Sequence, residues 1–194
     1  MKYLGGKRQI AAWVEEQILA RVSERKSYVE PFVGGASVWM RVAPHFEKAR
    51  GSDAHPDLVL YLNALRDGWI PPTESSSKEY ETLRRADPSP LRGHAGFNYS
   101  FGGMWFRGYH GDLRDPRGVT RTMDAYRAAL RDAPILRRCP PILRLDYREV
   151  EVREGDVVYC DPPYHGTEEY SVGFCSYAFW ARAGRWVRDG ATVI

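Results

Sequence analysis

Nowhere in the 194 residues does an apolar run approach the length of about 18 that a membrane-spanning helix needs. The opening Met1-Lys-Tyr-Leu-Gly-Gly-Lys-Arg-Gln9 carries charge with no apolar stretch behind it, which is not the pattern of a secretory signal. Cysteine is scarce: Cys139, Cys160 and Cys175 make an odd count without metal-type spacing. That argues against both a disulfide framework and a zinc site, and no metal is expected. Neither GxGxxG nor GxxxxGK[ST] occurs, so neither a dinucleotide nor a nucleoside triphosphate is specifically indicated. There is no internal repeat and no low-complexity segment. These absences leave a soluble, cytoplasmic globular protein as the expectation.

What the sequence has is enough apolar material for a core, 43% hydrophobic residues against 27% charged. The length suits one domain, or one domain carrying a small inserted lobe. Ile10, Val14, Ile18 and Val22 recur every four residues, so Lys7 to Lys26 reads as an amphipathic helix. A buried strand is predicted over Tyr28 to Val33 and a helix from Ala36 that stops before Pro44. A second strand is predicted over Ala49 to Asp53 and a helix from Asp57 to Arg66 behind His55-Pro56. Alternation of this kind implies a parallel sheet. The middle differs: a short helix over Lys78 to Ala86, a loop-like stretch over Asp87 to Gly118, and a helix capped by Thr120 that runs to about Arg131 and ends before Pro134. The sheet then resumes with Ile142 to Tyr147 and Val157 to Cys160, a helix from Tyr177 to Arg188, and a final strand.

The net charge of +3 is unevenly spread: Lys78 to Arg138 holds 12 Lys/Arg against 7 Asp/Glu, and the remainder 16 against 18. A basic segment on a near-neutral body suggests an anionic partner, nucleic acid being the commonest, although a charge run is more often a solvated face. The strongest chemical signal is Asp161-Pro-Pro-Tyr164 directly after a strand, because ligands of an open parallel sheet sit beyond the carboxyl ends of its strands. An exocyclic amino group on a nucleobase is a poor nucleophile, its lone pair being delocalised into the ring. The Asp161 carboxylate and the Pro162 carbonyl can accept its two hydrogens, with Pro163 stiffening the loop and Tyr164 offering a face for an unpaired base. The same four residues also suit an ordinary strand-to-loop turn.

Further candidates stand beside this one, each with a plainer reading. Glu30-Pro-Phe-Val-Gly-Gly-Ala-Ser-Val38 lets the backbone approach a ligand closely between strand and helix, or is simply a tight turn. Asp53 at a strand end can take both hydroxyls of a ribose, or open the following helix. Lys2-Tyr-Leu-Gly-Gly-Lys7 suits a loop closing over an anion, or a basic tip. Asn98 to Tyr109 packs five aromatics, Arg107 and three glycines into twelve residues, which makes a stacking surface or the small core of the insertion itself.

Taken in order, KYLGGK, EPFVGGASV, SDAHPDLV, SFGGMWF and CDPPY resemble the Dam-like DNA adenine-N6 methyltransferases, particularly their phage and prophage members. The resemblance runs the length of the chain, and the ordered set is more specific than any one motif. It implies an α/β, Rossmann-like sheet that uses S-adenosylmethionine, with a mainly helical target-recognition subdomain inserted between Gly35 and Asp161. The catalytic core would comprise residues 1–67 and 138–194, and the insertion residues 68–137. Phe32, Gly34 and Gly35 would line the methionine part of the cofactor, Lys7 would close over it, and Asp53 would hold the ribose. Asp146 would meet the cofactor's adenine, with Tyr3, Glu30, Tyr147 and Asp161 completing that set. Asp161, Pro162, Pro163 and Tyr164 would receive an adenine flipped from double-stranded DNA, and Asn98, Ser100, Trp105, Arg107 and Arg114 are the candidate DNA contacts. A monomer of bacterial or phage origin is expected, with a restriction nuclease as a possible companion. Where many relatives have a third loop glycine this chain has Ala36, which is small enough for little harm.

Two other readings compete. RNA guanine-N2 methyltransferases also carry DPP[YF] after a strand, but usually lack the SFGGMWF-type insertion. A truncated, non-catalytic DNA-binding remnant is the other, because a sheet of this type is expected to continue for several dozen residues beyond Ala191-Thr-Val-Ile194.

Overall fold

The computed structural model describes residues 3–163 and 174–194. Five parallel strands form one sheet in the order β3-β2-β1-β4-β5, with β1 Ser27–Glu30, β2 Lys48–Asp53, β3 Ile142–Arg144, β4 Val157–Val158 and β5 Thr192–Val193. The strands are short, yet the ladder runs past them: Tyr159 N–H donates to Val29 O, Cys160 N–H to Ile194 O, and Leu145 N–H to Asp53 O. The chain lays down β1, β2 and β3 in one direction and then returns to add β4 and β5 on the other side of β1. The β1/β4 boundary is therefore the topological switch point, where a crevice opens beyond the carboxyl ends of the strands.

Alternation along β1 decides what covers each face. Tyr28 stacks against Trp39 and Phe46, contributed by the short helix α2 (Trp39–Val42) and the turn after it. Gly51 lies opposite Glu30 on β2, and a Cβ there would stand 3.1 Å from the Trp39 ring, so the glycine makes room for the indole. Val29 points the other way, into a core with Val158, Tyr147, Phe179, Ala183 and Trp186. Phe179, Ala183 and Trp186 lie on one face of the last helix of the chain, Ser176–Arg188. The sheet is thus covered on both faces, as an α/β sheet of parallel strands must be. The first helix, α1, is Ala11–Ala20 and buries Ala11, Val14 and Ile18, half the length predicted from the four-residue repeat.

Contacts divide the chain into two compact units, one of residues 7–55 and 138–194, the other of residues 1–6 and 56–137. The first holds the sheet. The second holds α3 (Pro56–Arg66), α4 (Ser77–Arg85), α5 (Pro90–Asn98) and α6 (Arg121–Leu136) around Tyr80, Ala95, Tyr99, Phe106 and Ala125. Helix α3, expected with the sheet, instead packs on α5 and α6. The last helix of the chain, Ser176–Arg188, is α7.

Two expectations for the middle of the chain are corrected. The stretch read as loop contains α5, capped by Ser89, whose hydroxyl accepts from Arg92 N–H, with Pro90 in the first turn. Its glycines, which read as loop formers, are packing devices. A Cβ on Gly93 would sit 2.2 Å from Asp57 O on α3, and one on Gly96 would sit 2.3 Å from the Trp105 ring. Helix α6 starts at the predicted Thr120 cap but continues through Pro134 to Leu136. A proline there removes one hydrogen bond at a cost of about 3 kcal/mol. Burying Leu136 in the same turn offsets most of it, at about 1.5–3 kcal/mol. Among the described residues no helix is long and apolar enough to cross a membrane.

Candidate functional site

The sheet unit gathers acidic side chains at the carboxyl ends of its central strands: Glu30 ends β1, Asp53 ends β2, and Asp161 follows β4. Each is held differently. Glu30 is 1% exposed and accepts from the Tyr28 hydroxyl at 2.7 Å. Burial drives its carboxyl well above the usual range, with Asp161 and Asp53 adding to the rise and the donors Tyr28 and Trp39 N–H opposing it. Asp53 accepts from Gly34 N–H and His55 N–H, both at 2.9 Å. Burial raises its carboxyl too, against the pull of the His55, Gly34 and Ala54 amides.

That bond from Gly34 ties the loop after β1 to the end of β2, and Val33 N–H adds a second tie to Ser52 O. The loop turns through left-handed conformations at Gly34 (φ 51°) and Ala36 (φ 59°). Position 36 therefore has a backbone reason to be glycine, and the buried Ala36 holds a conformation that costs an L-residue about 1–2 kcal/mol.

Asp161 is paired. The Lys7 ammonium lies 2.6 Å from each of its carboxylate oxygens, with side-chain exposures of 17% and 23%. Burial raises the Asp161 carboxyl and the Lys7 ammonium opposes that rise. Its neighbour Cys160 is pushed up to about 12 by burial, then by Glu30 and Asp161, so the thiol stays protonated at neutral pH. Tyr164 lies outside the described residues, and Pro162 and Pro163 end the described stretch that begins this loop.

On the opposite face of the sheet Phe32 is half-buried against Tyr147, Phe174 and Phe179, with ring centroids 5.4–6.1 Å apart. The Tyr147 hydroxyl donates to Cys175 O at 3.3 Å. Asp146 is engaged by Arg148, which donates at 2.7 and 2.9 Å and holds its carboxyl below the usual range. The sequence alone did not disclose the Lys7–Asp161 pair, Tyr28 on Glu30, or Phe174 and Phe179 beside Phe32. Only the Tyr28–Glu30 pair left a signal, since residues two apart on a strand share a face.

In the helical unit the candidates separate by burial. Asn98 is 2% exposed, its side-chain amide donating to His94 O at 3.0 Å. Ser100 is fully buried, bonded at 2.6 Å to both the Tyr80 hydroxyl and Gly96 O. Both hold the unit together and present nothing to a base edge. Trp105 is half-buried between Phe97 and Phe106, with the Arg92 guanidinium 5.0 Å from its ring. Arg107 and Arg114 are exposed, Arg114 donating to Gly118 O at 2.6 Å. Tyr3 belongs to this unit, its ring 5.3 Å from Phe97. Arg92 also forms an ion pair, 2.5 Å long, with the buried Asp57 at the start of α3.

Chemically, the sheet unit offers three carboxyl groups of different character around its switch point, one of them steered by a lysine. A family model described as "D12 class N6 adenine-specific DNA methyltransferase" matches residues 3–94. The chain is 28% identical to the type II methyltransferase M.MjaIII of Methanocaldococcus jannaschii, over 91% of this chain and 72% of that protein. It is 26% identical to the type II methyltransferase M.CviBI of Paramecium bursaria Chlorella virus NC1A, with the same coverage of 91% and 72%. It is 25% identical to a DNA adenine methylase of Vibrio cholerae, over 92% of this chain and 69% of that protein.

Proposed function

We propose a chemistry for the switch-point crevice from one premise: the chain is a Dam-like member of the N6-adenine DNA methyltransferases. Its reaction is methyl transfer to the N6 amino group of adenine in DNA. S-adenosylmethionine is the proposed donor, supplying an electrophilic methyl group on a sulfonium. The residues present fit a cation of that kind, since Asp53 and Asp161 stand at the strand ends, with Lys7 the ammonium bonded there among the described residues. Phe32, Gly34 and Gly35 would hold its methionine part and Asp53 its ribose, where the Gly34, His55 and Ala54 amides still leave lone-pair capacity on the carboxylate. Asp146 would have to loosen its hold on Arg148 to meet the adenine ring, and Tyr147 would support that wall from below.

The observation that carries the reading is the Asp161 carboxylate, steered by Lys7 and followed by two prolines, at the switch-point end of β4. In this role Asp161 accepts one hydrogen of the target amino group and the Pro162 carbonyl accepts the other. The nitrogen lone pair is thereby localised toward the methyl group. Prior orientation of both acceptors supplies most of the barrier reduction. Reaching the amino group requires the adenine to leave the duplex, with Tyr164 as the proposed stacking face. Arg107 and Arg114 are the exposed side chains of the proposed DNA contacts, and Trp105 is partly accessible. Double-stranded DNA as partner, a monomeric enzyme, a cytoplasmic location and a companion restriction nuclease belong to the same proposal.

The test is transfer of labelled methyl from the donor to unmethylated duplex DNA. Asp161→Ala is expected to lower the single-turnover rate by at least about 10²-fold. A rate within a few-fold of wild type removes Asp161 from the chemistry.

A further inference from the structure

The Lys7–Asp161 pair is not explained by stability. With side chains only 17% and 23% exposed, the pair gives back in desolvation much of what it gains in attraction and is weak evidence for stability, and it joins residues 154 positions apart where a reactive acceptor is needed. Its geometry is specific. The ammonium sits 2.6 Å from both oxygens rather than end-on to one. An Asp carboxyl turns easily about its last torsion, which has broad minima. An ammonium shared between the two oxygens fixes the carboxyl plane. Lys7 is itself anchored, since its carbonyl accepts from Ile10 N–H at 3.0 Å where α1 begins.

We propose that Lys7 is a positioning residue for methyl transfer, holding both oxygens of Asp161 in the waiting enzyme and yielding one to the target amino group while keeping the other. The proposal rests on the reading of Asp161 as the amino-group acceptor, and departs from the expectation that Lys7 serves the cofactor. A carboxylate offers about four lone-pair sites and an ammonium three donors, so the exchange leaves neither partner unsatisfied. Lys7 also supplies the positive charge that keeps Asp161 ionised. Among the described residues the other titratable groups coupled to it, Glu30 and Cys160, carry no positive charge, and burial pushes both toward their neutral forms. An ionised acceptor makes the stronger hydrogen bond to the amino group.

The experiment compares wild type, Lys7→Met and Lys7→Arg in single-turnover transfer against pH, donor affinity by calorimetry, and a carboxyl-carbon NMR titration of Asp161 in the free protein. Lys7→Met is expected to lower the rate about 10–100-fold, the size of effect that misplacing a reacting group produces. Donor affinity should stay within about threefold, while the acid limb of the rate profile and the Asp161 titration midpoint both move to higher pH. Lys7→Arg keeps the charge and should recover much of the rate. The proposal is overturned if Lys7→Met weakens the donor more than tenfold at unchanged rate, if the rate falls without movement of the acid limb, or if the Asp161 midpoint stays put. Failure of the functional reading is distinguishable, because it shows as no transfer by the wild type. The NMR midpoint still decides then whether Lys7 governs Asp161.

Discussion

Replacing Glu30 by glutamine tests the electrostatics of the crevice without touching its surface. The carboxyl is 1% exposed, with the Tyr28 hydroxyl 2.7 Å away and no cation among the causes of its raised pKa. Its folded pKa lies well above the unfolded value, so the folded protein keeps a proton that the unfolded chain releases. Stability contributed by that proton is fully present below the unfolded carboxyl range and is lost as pH rises toward the folded pKa. The slope is about 1.4 kcal/mol per pH unit while the folded carboxyl is protonated and the unfolded one is not. Glutamine has the same shape and cannot ionise. Relative to wild type, Glu30→Gln should therefore gain stability steadily as pH rises above the unfolded carboxyl range, at a slope of up to about 1.4 kcal/mol per pH unit, whatever its constant offset. Urea denaturation read by tryptophan fluorescence at pH 5, 6, 7 and 8 measures this, with the buried Trp39 and Trp186 as reporters of the sheet unit. Wild-type and variant stabilities that run parallel across that range would refute the assignment of Glu30 as a buried neutral carboxyl.

In the helical unit, Asp57→Ala removes the partner of Arg92 and the acceptor of Ser89 N–H, and should cost about 3–5 kcal/mol. At about 2–4 °C per kcal/mol for a chain of this size, a thermal melt should fall by about 6–20 °C. A loss below about 1 kcal/mol would mean that the Leu83 and Arg84 carbonyls already satisfy Arg92. Arg107→Ala and Arg114→Ala should each flatten the dependence of log affinity on log salt by about one unit, measured by anisotropy on a labelled duplex. An unchanged slope takes either side chain off the DNA-contacting face.

Much of the sheet was legible in the sequence because it depends on local signals. Strand and helix alternation, the Thr120 cap and the segment before Asp161 all follow from short-range pattern, and the parallel sheet appears where that pattern puts it. The middle was less legible. Gly93 and Gly96 read as loop because their lack of a side chain is locally a flexibility signal. Their function is to let α3 and Trp105 approach, which no short window of sequence contains. The same holds for Asn98 and Ser100. Polar residues among aromatics look available for recognition, and burial within their own unit withdraws them.

By itself, then, the sequence determined the chemical inventory and its order: an Asp-Pro-Pro-Tyr segment after a strand, a glycine loop before it, and a basic, aromatic stretch between. Those are properties of residue type and spacing, and they carry the family likeness. The tertiary structure decided which carboxyl groups share a site and in what electrical state. Glu30 is pushed toward its neutral form because the fold removes it from water with only neutral donors nearby, whereas Asp161 has a lysine brought to it from 154 residues away. Charge state depends on desolvation and on partners distant in the chain, and neither exists until the chain has folded.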